Sequence, residues 1–130
     1  MQASEVDFGY CYFNITIQFN GIHTHAHFHD DIDVWKDFGN RLQEFPQTII
    51  AKEAFYVEMD MKFGLSALCY DYQGHTAIQV FVDNRDIVPG PYRLEFSIPA
   101  EAASINKLGR ILTGWSVEDN SEIVWQAQTS

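Results

Sequence analysis

Positive charge is scarce in this sequence. Eight Lys and Arg stand against eighteen Asp and Glu, a formal charge of −10 at pH 7. That balance excludes a phosphate backbone as the expected partner and favours a neutral or cationic one, since a polyanion is repelled at encounter. Cysteine is as rare. Cys11 and Cys69 are the only two, and at that separation they form neither a zinc nor a redox motif, so both read as reduced core residues. No apolar run approaches the ~20 residues of a membrane helix. The N-terminal stretch carries Glu5 and Asp7 and no basic segment ahead of an apolar one, so it does not read as a secretory signal. A soluble, cytoplasmic protein is the expectation. Glycine-rich phosphate loops and a Gly-x-Ser-x-Gly elbow are also missing, which removes two common signatures of catalysis.

Apolar side chains are plentiful, at 46% of 130 residues with 15% aromatic, enough for one packed core. A single domain over 1–130 is expected, with 114–130 either an edge strand or a mobile tail.

The most specific local pattern is His23, His25, His27 and His29, alternating with Ile22, Thr24, Ala26 and Phe28. In a strand this puts all four imidazoles on one face. Asn20-Gly21 just before it is the dipeptide a two-residue type I′ hairpin prefers. Turning there sets Phe19 opposite Ile22, Gln18 opposite His23, Thr16 opposite His25, Asn14 opposite His27 and Phe13 opposite Phe28. The apolar residues of both strands then share one side and the polar ones the other, and a slip of one residue would invert every side chain.

After this ribbon, Asp30, Asp31 and Asp33 precede a stripe of Val34, Trp35, Phe38, Leu42 and Phe45 that Pro46 ends, predicting a helix from about Asp31 to Glu44 whose first turn the carboxylates cap. From Thr48 the period becomes two. Phe55, Val57, Met59 and Met61 alternate with Tyr56, Glu58, Asp60 and Lys62, so Glu58 and Asp60 fall on the wet side of a strand. Strands over Leu65 to Tyr72 and His75 to Asn84, joined at Gln73-Gly74, and over Tyr92 to Ile98 complete a meander. A second helix then starts near Pro99, with Ala102, Ile105, Leu108 and Leu112 buried and Gly109 marking close packing. The fold class expected is α+β: a single antiparallel, strongly twisted sheet or half-barrel of about six strands, with two helices on its apolar face.

Two chemistries fit the histidine strand. Alternate residues stand about 6.8 Å apart, so neighbouring imidazoles can share an ion, but His23 and His29 are about 20 Å apart along the strand. A zinc, nickel or copper site would use His23, His25 and His27 with a ligand from Glu58, Asp60 or His75. His23-Thr24-His25 resembles the metal-binding strand of the cupins, which implies a metal-dependent enzyme. The glutamate that motif wants is replaced by Phe28, His29 and Asp30. The other reading is a solvated face with no cofactor, which together with Asp30, Asp31, Asp33 and Asp37 meets a protein partner. Acidification changes this face first: protonating the five histidines moves the formal charge from −10 to −5.

The segments Trp35-Lys36-Asp37-Phe38 to Phe45-Pro46, Tyr70-Asp71-Tyr72-Gln73-Gly74-His75, Phe96-Ser97-Ile98-Pro99 and Leu108-Gly109-Arg110 together resemble small bacterial proteins of the immunity type found in polymorphic toxin systems, the WapI immunity type included. The resemblance covers about Trp35 to Leu112 and carries packing and turn residues rather than chemistry. It implies a noncatalytic immunity protein that neutralises a basic toxin, and it transfers no site residue.

Overall fold

The computed structural model describes residues 1–47 and 51–129. Among the described residues, seven strands and two helices follow in the order β1 (Gln2–Asp7), β2 (Tyr10–Phe19), β3 (Ile22–Asp31), α1 (Val34–Glu44), β4 (Ala51–Val57), β5 (Phe63–Cys69), β6 (Thr76–Asn84), β7 (Tyr92–Pro99) and α2 (Ala102–Thr113).

The α+β composition with two helices is as expected, but the single six-strand sheet is not. The strands form two antiparallel sheets, β1-β2-β3 and β4-β5-β6-β7. Where one sheet would need a ladder between the edges of β3 and β7, side chains stand in its place. The Thr24 and Tyr92 hydroxyls lie 3.1 Å apart, while Asn84 Nδ2 donates to the Tyr92 hydroxyl (2.6 Å) and to the His25 carbonyl (2.9 Å). Farther along, the rings of Phe19 and Phe96 stack at 6.3 Å. Side chains of that bulk hold the edges apart, and the two sheets share one core instead of one ladder.

The β2–β3 hairpin has the register its sequence predicts, from Phe19↔Ile22 through Thr16↔His25 to Phe13↔Phe28. Asn20 (φ 47°) and Gly21 (φ 80°) both take the positive φ that the turn requires. Phe13, Ile15, Ala26 and Phe28 are buried.

The helix over Asp31 to Glu44 is shorter than expected. Asp31 is the last residue of β3, and α1 begins at Val34. Asp33 occupies the N-cap position without a side-chain cap bond; its own N–H donates to Asp31 Oδ1 at 2.8 Å. Pro99 ends β7 rather than opening α2. The two helices pack on each other where Gly39 meets Gly109, with α1 also against β4 and α2 against β6.

The expected faces of β4 are reversed. The alternation read from Thr48 begins outside the described residues, and within β4 Ala54 and Tyr56 point inward while Phe55 and Val57 are exposed. Glu58, one residue beyond the strand, continues the buried row, and Met59 and Met61 are exposed in the following turn. The Tyr56 ring lies 4.4 Å from that of Trp35, and Arg41 covers Phe55 at 5.8 Å. A tyrosine that fills the core, and an arginine that covers the displaced phenylalanine, outweigh the simple apolar count.

The segment after α2 runs along β1. Residues Met1 and Ile123 exchange backbone hydrogen bonds of 2.8 and 2.9 Å, and Ala3 donates to the Ser121 carbonyl and accepts from the Asn120 N–H, each at 2.9 Å.

Candidate functional site

β3 places His23, His25, His27 and His29 on one exposed face, where Asp31 extends the row. Gln18, Thr16, Asn14 and Tyr12 of β2 stand beside them in register, and β1 adds Ser4 and Gln2. The His25 and His27 rings lie 6.0 Å apart and nearly parallel, at 16°. Tyr12 approaches His29 edge-on at 5.0 Å, and His29 Nε2 lies 3.6 Å from Glu5 Oε2. This face is flat and polar. Among the described residues, no group of three or more His, Cys, Asp and Glu side chains is arranged to hold a metal ion. Of the further ligands expected from Glu58, Asp60 or His75, Glu58 and His75 are committed elsewhere. Glu58 Oε1 accepts from the N–H groups of Asp60 and Lys62, and His75 Nδ1 is 2.6 Å from Asp71 Oδ2 on the β5–β6 turn.

The acidic residues grouped by sequence separate in space. Asp31 and Asp33 are exposed at the end of the histidine row. Asp37, one turn into α1, pairs with Arg41 at 2.9 Å. Asp30 points the other way, toward the core, and accepts the Tyr56 hydroxyl at Oδ2 (2.6 Å) and the Asp31 N–H at Oδ1 (2.7 Å). Its carboxylate is thus engaged within the fold.

Burial first, then the hydrogen bond to Asp30 and that carboxylate's charge, push the Tyr56 hydroxyl far above the ordinary tyrosine range. The sign follows from the unfolded chain, where this tyrosine loses its proton near pH 10 while the folded one keeps it. Its contribution to stability is complete below that pH and declines above it, by up to about 1.4 kcal/mol per pH unit. Tyr56→Phe is expected to flatten this alkaline slope and to cost about 2 kcal/mol at neutral pH by leaving Asp30 without its donor. Urea unfolding of both proteins between about pH 8 and 11 measures it; equal alkaline slopes would refute the assignment.

The structure brings to the same end four carboxylates that sequence reading did not group: Glu5 and Asp7 from β1, and Glu118 and Asp119 from the segment after α2. Asp119 Oδ1 accepts the Val6 N–H at 2.8 Å. Asp33 and Glu118 border one cleft of about 270 Å³ together with Lys36, which Asp33 holds at 3.1 Å. Burial first, and then the charges of Asp30, Asp119 and Asp31, push the Cys11 thiol up to about 11. No local motif marked the grouping, because its members come from three distant stretches of chain.

Comparison with known proteins adds nothing to these observations. No family model matches the chain, and no curated protein or solved structure matches it either. No helix among the described residues is long and apolar enough to cross a membrane.

Proposed function

We propose that this chain is a noncatalytic binding protein that neutralises a cationic partner, in the manner of an immunity protein, through the acidic end of its three-stranded sheet. One observation carries the reading: Glu5, Asp7, Asp31, Asp33, Glu118 and Asp119 are all exposed where β1, β3 and the segment after α2 converge. Such a field raises the encounter rate with a basic protein and can seat on a substrate channel lined for polyanions. The histidine face beside it, with Asp31 at the junction, extends the contact area. The likeness of Trp35 to Leu112 to toxin-immunity proteins supports the same reading from sequence.

The test is to look for a basic toxin domain encoded beside this gene and to co-express it with this chain. Growth is expected to survive in the presence of this chain, and arrest despite it would refute the proposal. With purified proteins, Asp33→Lys combined with Glu118→Lys is expected to slow association about tenfold and flatten its salt dependence. Unchanged rates would move the interface away from this end. Stoichiometric zinc, nickel or copper in tag-free protein would instead favour the metal chemistry of His23, His25 and His27.

A further inference from the structure

A cavity of about 630 Å³ opens between the two sheets, under the segment that follows α2. Ile17 and Phe19 of β2 form one wall and Ile78 and Ile98 the opposite one, while Trp125 and Ala127 close the third side. We propose that this cavity binds an uncharged, largely apolar small molecule, independently of the acidic end.

Protein interiors close to near-crystalline density, and voids larger than a water molecule are few. A space of this size lined by isoleucine, phenylalanine and tryptophan needs something to keep its walls apart, and the structure supplies it. Trp125 Nε1 donates to the Ser104 carbonyl (2.9 Å) and the Gln128 N–H donates to Ser104 Oγ (3.1 Å), which fixes the closing segment to α2. Its other end is tied to β1 through Ser121 and Ile123. The sheets are spaced at their seam by the Thr24, Tyr92 and Asn84 side chains. The walls are thus set before any ligand arrives, and the volume falls in the range of sites for drug-sized molecules.

The lining decides the chemistry. Among the described residues, no side chain that borders the cavity is charged, and the Met1 ammonium at its edge is already held by the Ile123 carbonyl at 2.8 Å. An ionised ligand would therefore lose hydration without a partner, while an apolar body gains from leaving water. Water itself is a poor occupant, since it needs two to four polar neighbours. The exposed amides of Gln18, Asn20 and Gln126 border the opening and offer donors and acceptors to a neutral polar head. The expected ligand is a neutral amphiphile: an alkyl or aromatic body with a hydroxyl or amide at one end.

N-phenyl-1-naphthylamine, an uncharged dye that brightens in apolar surroundings, is the probe. It is expected to bind saturably, with one dye per chain, and to be displaced by decanol about tenfold more effectively than by decanoate. Ile17→Trp and Ala127→Phe fill the cavity from two different sides and are each expected to weaken the dye about tenfold or more. Phe55→Ser, on the exposed outer face of β4, leaves affinity unchanged. If Ile17→Trp fails to fold, Ala127→Phe outside the strands carries the test. Absence of saturable binding, equal displacement by decanol and decanoate, or loss of affinity in Phe55→Ser with none in the filled variants would each overturn the proposal.

Discussion

Gly109→Ala is expected to destabilise the fold by about 3 kcal/mol, lowering the melting temperature by roughly 10 °C for a domain of this size. A Cβ at Gly109 would stand 2.6 Å from the Gly39 carbonyl oxygen and 2.9 Å from the Gln43 nitrogen. Both are backbone atoms of α1 and cannot rotate aside. The helices must part, and with them the bonds that cross the same contact: Asn106 Nδ2 to the carbonyls of Leu42 (2.8 Å) and Phe45 (2.7 Å), and Gln43 Nε2 to Thr113 Oγ1 (2.8 Å). Alanine's better helix propensity returns only about 1 kcal/mol, so the clash decides the sign. Gly39→Ala meets the same obstacle from the other side, with Gly109 O and Thr113 Cγ2 each at 2.9 Å. Because the two share one contact, the double variant is expected to lose less than the singles combined. Urea denaturation of the three variants measures this; a Gly109→Ala protein as stable as the parent would show that the helices do not touch through their backbones.

That contact was partly legible in the sequence. Gly109 interrupts an otherwise good helical stripe, which signals a close neighbour, but nothing in the stripe says that the neighbour is Gly39. The β2–β3 register was fully legible, because two polar-apolar alternations and an Asn-Gly turn agree and one slipped residue would ruin all three. The division into two sheets was not. Thr24, Asn84 and Tyr92 look like ordinary strand residues in sequence, and their role at the seam depends on a tertiary meeting across 59 and 68 positions. β1 escaped notice for a local reason. Glu5 has φ 53° and the pairing with β2 shifts between Ser4 and Asp7, so only Ala3 is fully buried and the alternation is too short to read. The acidic end suffered from both causes, since four of its six carboxylates lie on β1 and the segment after α2. The cavity's closing segment did carry a signal: Ile123, Trp125 and Ala127 alternate with Glu122, Val124, Gln126 and Gln128, the period of an extended chain with one side inward.

Glu58 offers the sharpest contrast between the two readings. As the wet side of a strand, Glu58→Ala would change stability by no more than about 0.5 kcal/mol. In the structure Glu58 is 4% exposed, and its Oε1 accepts the N–H groups of both Asp60 and Lys62 at 2.9 Å. Those bonds hold a turn that is otherwise costly, with Met61 at φ 58°, and that aligns Phe63 for its place in the core. Removing a charged acceptor from two backbone donors at once is expected to cost about 3 kcal/mol. Met59→Ser, at a side chain 92% exposed, is expected to stay within about 0.5 kcal/mol. Glu58→Gln keeps a neutral acceptor in place and should recover about half of the loss. The order of the three stabilities in urea is therefore Met59→Ser above Glu58→Gln above Glu58→Ala. The opposite order, with Met59→Ser lowest, would return Met59 to the core and Glu58 to solvent, and would reverse the face that β4 presents to Trp35.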